Sequence, residues 1–185
     1  MKKTLFTITL AAGLLFSCSD NNKSFQIKND QVGPLQKGAL IKEVKTIFAE
    51  DSIVSASQEA VEGYQNEVEI YDKEGNKLLV LSPKKNNDPN SPINHIQITD
   101  SRYQTSKGIG TKSTFKDIKK HYTIDKVETT FTSVIIFLKD SPIFITIDKD
   151  ELPEDIRFDL NLKVEATQIP DDAKIKLFMV SWDVE

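Results

Sequence analysis

Few residues in this chain are equipped for covalent or ligand chemistry. Cys18 is its only cysteine, and His95 and His121 are its only histidines. A lone thiol has no disulfide partner, so its use is as a nucleophile, a ligand or the acceptor of a modification. The two histidines fall on different elements and lack a His-x-x-x-His spacing. A zinc site would therefore need folding to bring carboxylates to them, and the plainer reading puts both at the surface or core edge. Gly108-Ile109-Gly110-Thr111-Lys112-Ser113-Thr114 contains the residue types that cradle phosphate. A Walker A motif, however, needs glycine directly before the lysine and again five residues earlier, where this chain has Thr111 and Ser106. Lys112 and Lys116 beside a helix start could still hold an anion; the plainer reading is a turn feeding a capped helix. Asp148, Asp150, Glu151, Glu154 and Asp155 form an acidic run. An EF-hand loop needs a glycine at its sharp turn, and none occurs from 141 to 185. A Gly-x-Ser-x-Gly elbow is absent, and a serine nucleophile would have only two histidines to draw on as base. No spacing singles out a carboxylate pair for glycan chemistry. The expectation is an absence of catalytic residues, metal and cofactor.

The context of Cys18 gives it a different use. Lys2 and Lys3 form a short positive segment, and Leu5 to Phe16 is apolar but too short to span a bilayer, which takes about 20 residues. Ser17 is the small residue that precedes a cut. Leu15-Phe16-Ser17-Cys18 resembles the lipobox of bacterial lipoproteins. The resemblance covers residues 1–18 and implies diacylglycerol on the Cys18 thiol, cleavage before it and acylation of the new N-terminus. Several acyl chains on one residue supply stable anchoring. An ordinary secretory signal cut beside a cysteine is the alternative. Residues 1–17 are thus read as signal peptide, and 18–28 as lipidated cysteine and polar tether. In enteric lipoproteins an aspartate directly after the cysteine favours the inner membrane. Here that residue is Ser19, so the resemblance implies an outer-membrane lipid anchor, on the periplasmic face or the cell surface. Asp20 is similar to the acidic export signals of Bacteroidota lipoproteins.

Removing residues 1–17 from 185 leaves 168, and losing Lys2 and Lys3 takes the formal charge from −4 to −6. An acidic chain is a poor nucleic-acid binder, since phosphate contacts want a basic face. Ten phenylalanines and 38% hydrophobic residues argue for a folded core.

The pattern of the remaining chain predicts an α+β fold, with antiparallel sheet carrying two amphipathic helices. Leu40, Ile41, Val44, Ile47 and Phe48 share a helical face over 39–50. Phe115, Ile118 and Tyr122 share another, with Thr114 and Asp117 spaced as a capping box. Hairpins are predicted for 67–81, turning near Gly75, and for Val134–Leu138 with Ile143–Ile147, turning at 139–142. Further strands are expected at 52–57, 94–99, 123–131, 162–166 and 174–182. Gly33-Pro34 marks a turn within 30–38. Leu78–Leu81 is continuously apolar, as in a strand covered on both faces. The polar stretch 83–92 separates an N-terminal half, 29–91, from a C-terminal half, 92–185.

Residues 41–48 and 115–122 share an order of apolar, basic, acidic, apolar and basic types closed by an aromatic. Loop, helix and strands in that order resemble the tandem units of the BamE/SmpA and β-lactamase-inhibitor-protein-like group. The resemblance implies a role in binding or stabilising envelope proteins. The functional expectation is a non-enzymatic, protein-binding or scaffolding lipoprotein of the cell envelope. The alternative is a small-ligand or glycan-binding lipoprotein of an uptake system.

Overall fold

The computed structural model describes residues 25–55, 67–157 and 163–182. Cys18, the signal segment and most of the tether lie outside them. The described chain is mainly β, which corrects the expected α+β class. Twelve strands form two sheets, while the α-helices are short: α1 (Val44–Ile47), α2 (Phe115–His121) and α3 (Glu154–Arg157). The predicted helix over 39–50 shrinks to a 3-10 turn at Ile41–Glu43 followed by four α-helical residues. Helices this short offer one or two buried side chains each: Val44 from α1, Phe115 and Ile118 from α2. They plug the core rather than cover the sheet.

The larger sheet has eight strands in the order β4-β5-β6-β7-β12-β11-β10-β9. These are β4 (Ser52–Ser55), β5 (Val68–Tyr71), β6 (Lys77–Pro83), β7 (Ile93–Ile98), β9 (Ile124–Thr129), β10 (Ser133–Leu138), β11 (Ile143–Asp148) and β12 (Ile175–Ser181). Every pairing is antiparallel. Two four-strand meanders meet through their last strands, with Phe178 opposite Ile98 and Val180 opposite Ile96. The predicted hairpins form with Val134 opposite Ile147 and Val68 opposite Leu81. The first tight turn follows from Asp72, whose carboxylate accepts from the backbone N–H of Glu74 and of Asn76, while Gly75 takes a φ of +84° that favours glycine.

The alternation of Phe25–Lys28 predicts one strand of the smaller sheet, at the end of the tether segment, and nothing in the sequence predicts the other three. It orders β3-β2-β1-β8, from β1 (Gln26–Ile27), β2 (Gln31–Val32), β3 (Leu35–Gln36) and β8 (Gln104–Thr105). β1 and β8 run parallel although nearly eighty residues separate them. The expected strand at 162–166 is also corrected: 163–165 is irregular, a 3-10 turn follows at Ala166–Gln168, and Leu162 lies outside the described residues. The stretch 84–92 connects β6 to β7 and is tied back to α1's approach, where Ser91 O accepts from Ile41 N and Asn90 Oδ1 from Lys42 Nζ.

One core cluster runs through both halves. Ile96, Ile98, Leu79, Leu81, Phe178 and Val180 of the larger sheet share this layer with Ile27, Val32 and Leu35 of the smaller one, all nearly inaccessible. Trp182 closes this layer, and its Nε1 donates to the carbonyl of Asn29 at 3.0 Å.

Candidate functional site

A strand's side chains alternate between faces, so some of the apolar residues in β10–β12 point away from this core. Ile135, Phe137, Phe144, Leu177 and Met179 belong neither to the core cluster nor to the side chains packed against it. Register places them side by side. Phe137 lies opposite Phe144, Phe144 opposite Met179, Met179 opposite Gln97, and Gln97 opposite Val80. Ile135, Thr146 and Leu177 form the next row. The result is a second apolar surface spread over β10–β12, bordered on β7 by Gln97 and His95.

Its geometry is that of an interface centre. The Phe137 and Phe144 rings stack with centroids 5.6 Å apart at 27°, and His95 meets Phe144 edge-on at 6.4 Å. Charges stand at the rim. Lys126 pairs with Glu128 on the edge strand β9, with its ammonium 5.9 Å from the Phe137 ring centroid. At the other side Glu69 receives hydrogen bonds from Lys77 and Tyr71, and these hold its carboxyl below the usual range. An aromatic and methionine centre with charge displaced to the rim is the composition of protein–protein contact surfaces. Ile135, Phe137, Phe144, Leu177 and Met179 are each half-buried, and an apolar patch of this kind, gathered on one face, is a feature of interaction sites.

The residues singled out in the sequence fall elsewhere or into structural roles. His95 borders this face, while His121 ends α2 on the far side of the sheet, so folding does not unite them. Among the described residues no group of three metal-ligating side chains converges. The acidic run is consumed locally: Asp148 pairs with Lys176 at 2.6 Å, and Glu151 accepts from Lys174 N. The Gly108–Thr114 loop is a turn in which Thr105 Oγ1 accepts from Lys107 N and Ile109 N. The α2 start does not present free N–H groups to an anion. Thr114 and Asp117 form the expected capping box, and the N–H groups of Phe115 and Lys116 donate to the carbonyls of Ala173 and Asp171.

Phe137, Phe144 and Met179 were not singled out from the sequence. The signal was present in the continuously apolar run of β10, which, as in Leu78–Leu81, leaves no face of the strand polar.

Fold and face together describe a predominantly β protein whose larger sheet carries a second apolar patch, along β10–β12, outside its core. No family model matches the sequence, and no curated protein matches it. In structure the chain is similar to the uncharacterized protein yfeY from Escherichia coli, with a TM-score of 0.54 and 16% identity. The match covers 84% of this chain and 99% of that one. At this identity the likeness is one of fold.

Proposed function

We propose that this chain is a cell-envelope lipoprotein, anchored to the outer membrane through Cys18, that binds another envelope protein and catalyses no reaction. The observation that carries the binding role is the row Phe137–Phe144–Met179, an apolar centre outside the core with an acid–base rim. The partner's matching surface is apolar at its middle, with basic and acidic groups facing Glu69 and Lys126. The lipobox-like Leu15-Phe16-Ser17-Cys18 supports the anchor.

Site-specific photocrosslinking in intact cells tests the binding role. A crosslinker at Gln97 or Met179 is expected to capture one species, lost when Phe137→Ser is added and absent from a crosslinker at exposed Lys37. Equal capture from Lys37, or none from either face position, refutes the role. Fractionation of Cys18→Ala tests the anchor: it should leave the membrane and remain unprocessed at that cysteine. A variant still processed and membrane-bound overturns the lipid assignment.

A further inference from the structure

A cleft of about 510 Å³ opens between the smaller sheet and the β10–β11 turn, away from the apolar face. That volume falls within the ~300–1,000 Å³ of small-molecule sites. The end of β1 contributes Ile27 and Lys28, the loop after β8 contributes Lys107, and the turn contributes Lys139 and Asp140. Three ammonium groups therefore surround the space against one carboxylate, in a chain with 28 acidic and 24 basic residues.

Five lysines elsewhere in the described chain are neutralised by carboxylates. Lys73, Lys77, Lys119, Lys126 and Lys176 each stand within 4.0 Å of a carboxylate. Among the described residues no carboxylate oxygen lies that close to Lys28, Lys107 or Lys139. The partners of two of them are neutral. Lys107 Nζ donates to the carbonyl of His121 at 2.7 Å and sits 4.2 Å from the Tyr122 ring centroid. Lys28 Nζ donates to Gln31 Oε1 at 3.1 Å. Such contacts position the charge without cancelling it. Asp140 has a φ of +54°, and its backbone carbonyl accepts from Asn29 Nδ2 at 3.4 Å, which ties the turn to the opposite wall. Lys28, Lys107 and Lys139 are exposed at the rim of the cleft, where like charges gathered around a concavity attract an anion.

We infer that this cleft binds a phosphate-bearing small group, a phosphomonoester or a phospholipid headgroup. Three lysines against Asp140 leave a positive balance that a phosphate of one to two negative charges neutralises. Ser106 and Ser141 supply hydroxyl donors, and Ile27, Ile143 and the Tyr122 ring provide an apolar wall for the carbon skeleton that bears the phosphate. The site is separate from the protein-binding face and stands without it. Its headgroup form alone rests on the lipid anchor: Ile27 is nine residues from Cys18, so the bilayer surface can lie no farther than about 30 Å along the chain.

The experiment uses the full-length protein in neutral detergent, titrated calorimetrically with glycerol phosphate. A second arm measures flotation with phosphatidylcholine vesicles, with and without phosphatidylglycerol, using Cys18→Ala so that the anchor cannot report. The cleft variant Lys107→Gln/Lys139→Gln is compared with Lys42→Gln/Lys45→Gln, which removes equal charge elsewhere. Loss of two charge-assisted contacts should weaken cleft binding about tenfold or more, with unchanged melting in both variants. Saturable glycerol phosphate binding lost only in the cleft variant establishes a soluble phosphoester ligand. Binding only to phosphatidylglycerol vesicles, again lost only in the cleft variant, establishes the headgroup. No binding in either arm, or equal weakening in both variants, overturns the inference. If the double variant melts early, the single Lys139→Gln carries the same comparison.

Discussion

The guanidinium of Arg102 lies 2.5 Å from the carboxylate of Asp72, thirty residues earlier in the chain, and 4.6 Å from the Phe25 ring centroid. It also holds Asp100 at 2.8 Å. Three separate segments, the β5–β6 turn, the approach to β8 and the start of β1, are thereby joined at the edge where the two sheets meet.

This junction makes stability depend on acid. Burial pushes the Asp72 carboxyl up, but hydrogen bonds from Arg102 and Asn76 outweigh it and bring the group down from 3.8 to about 2. The folded state therefore binds fewer protons here than the unfolded chain. The stabilisation is full above 3.8 and is lost as the pH falls through about 2. Urea midpoints measured across this window should fall in the wild type, and Asp72→Asn should flatten that part of the profile. An unchanged profile in the variant would sink the assignment.

Val44 and Ile118 should act alike although one helix is four residues long and the other seven. Both are buried, at 2% and 0% exposure. Ile118→Ala should cost roughly 2–5 kcal/mol and Val44→Ala somewhat less. Lys45→Ala and Lys119→Ala should stay within about 1 kcal/mol, since Lys45 is exposed and the Lys119–Asp171 pair is solvated. Denaturant melts of the four variants decide; comparable losses in the lysine variants would mean the helical phase is wrong.

Two glycines should respond differently to alanine. A Cβ on Gly110 would stand 2.5 Å from the backbone oxygen of Tyr103, which cannot swing aside. Gly75 has open space around it but a φ of +84°. Gly75→Ala should cost about 1–2 kcal/mol from backbone strain alone. Gly110→Ala, which must displace a chain segment packed beside buried Tyr103, should exceed it. Thermal midpoints in the reverse order would place the Gly110 contact in doubt.

Local features were legible before the structure. The 134–147 hairpin follows from two apolar runs on either side of a turn of Lys139-Asp140-Ser141-Pro142. The Thr114–Asp117 box and the Asp72–Asn76 turn depend on residues within a few positions of one another, so spacing along the chain is spacing in space. Helix length was overestimated because an apolar face at 3.6-residue spacing does not report where the backbone turns away. At Phe48 the helix ends with a non-helical ψ of 45°, a stop that no glycine or proline at that position announces.

The sequence by itself determined which strands would be apolar, where their turns fall, and the lipobox-like context of Cys18. Tertiary structure decided what those strands surround. The pairing of Gln26 with Gln104, the union of β7 with β12, and the meeting of Lys28, Lys107 and Lys139 join residues that lie many positions apart. No local preference encodes such meetings, because the closing of a long loop depends weakly on its length and not on the residues within it. They are selected by the burial of the shared core. The same alternation that fills one face of the eight-stranded sheet leaves Phe137, Phe144 and Met179 on the other, and only the placement of every core element on one side shows them to be outside it.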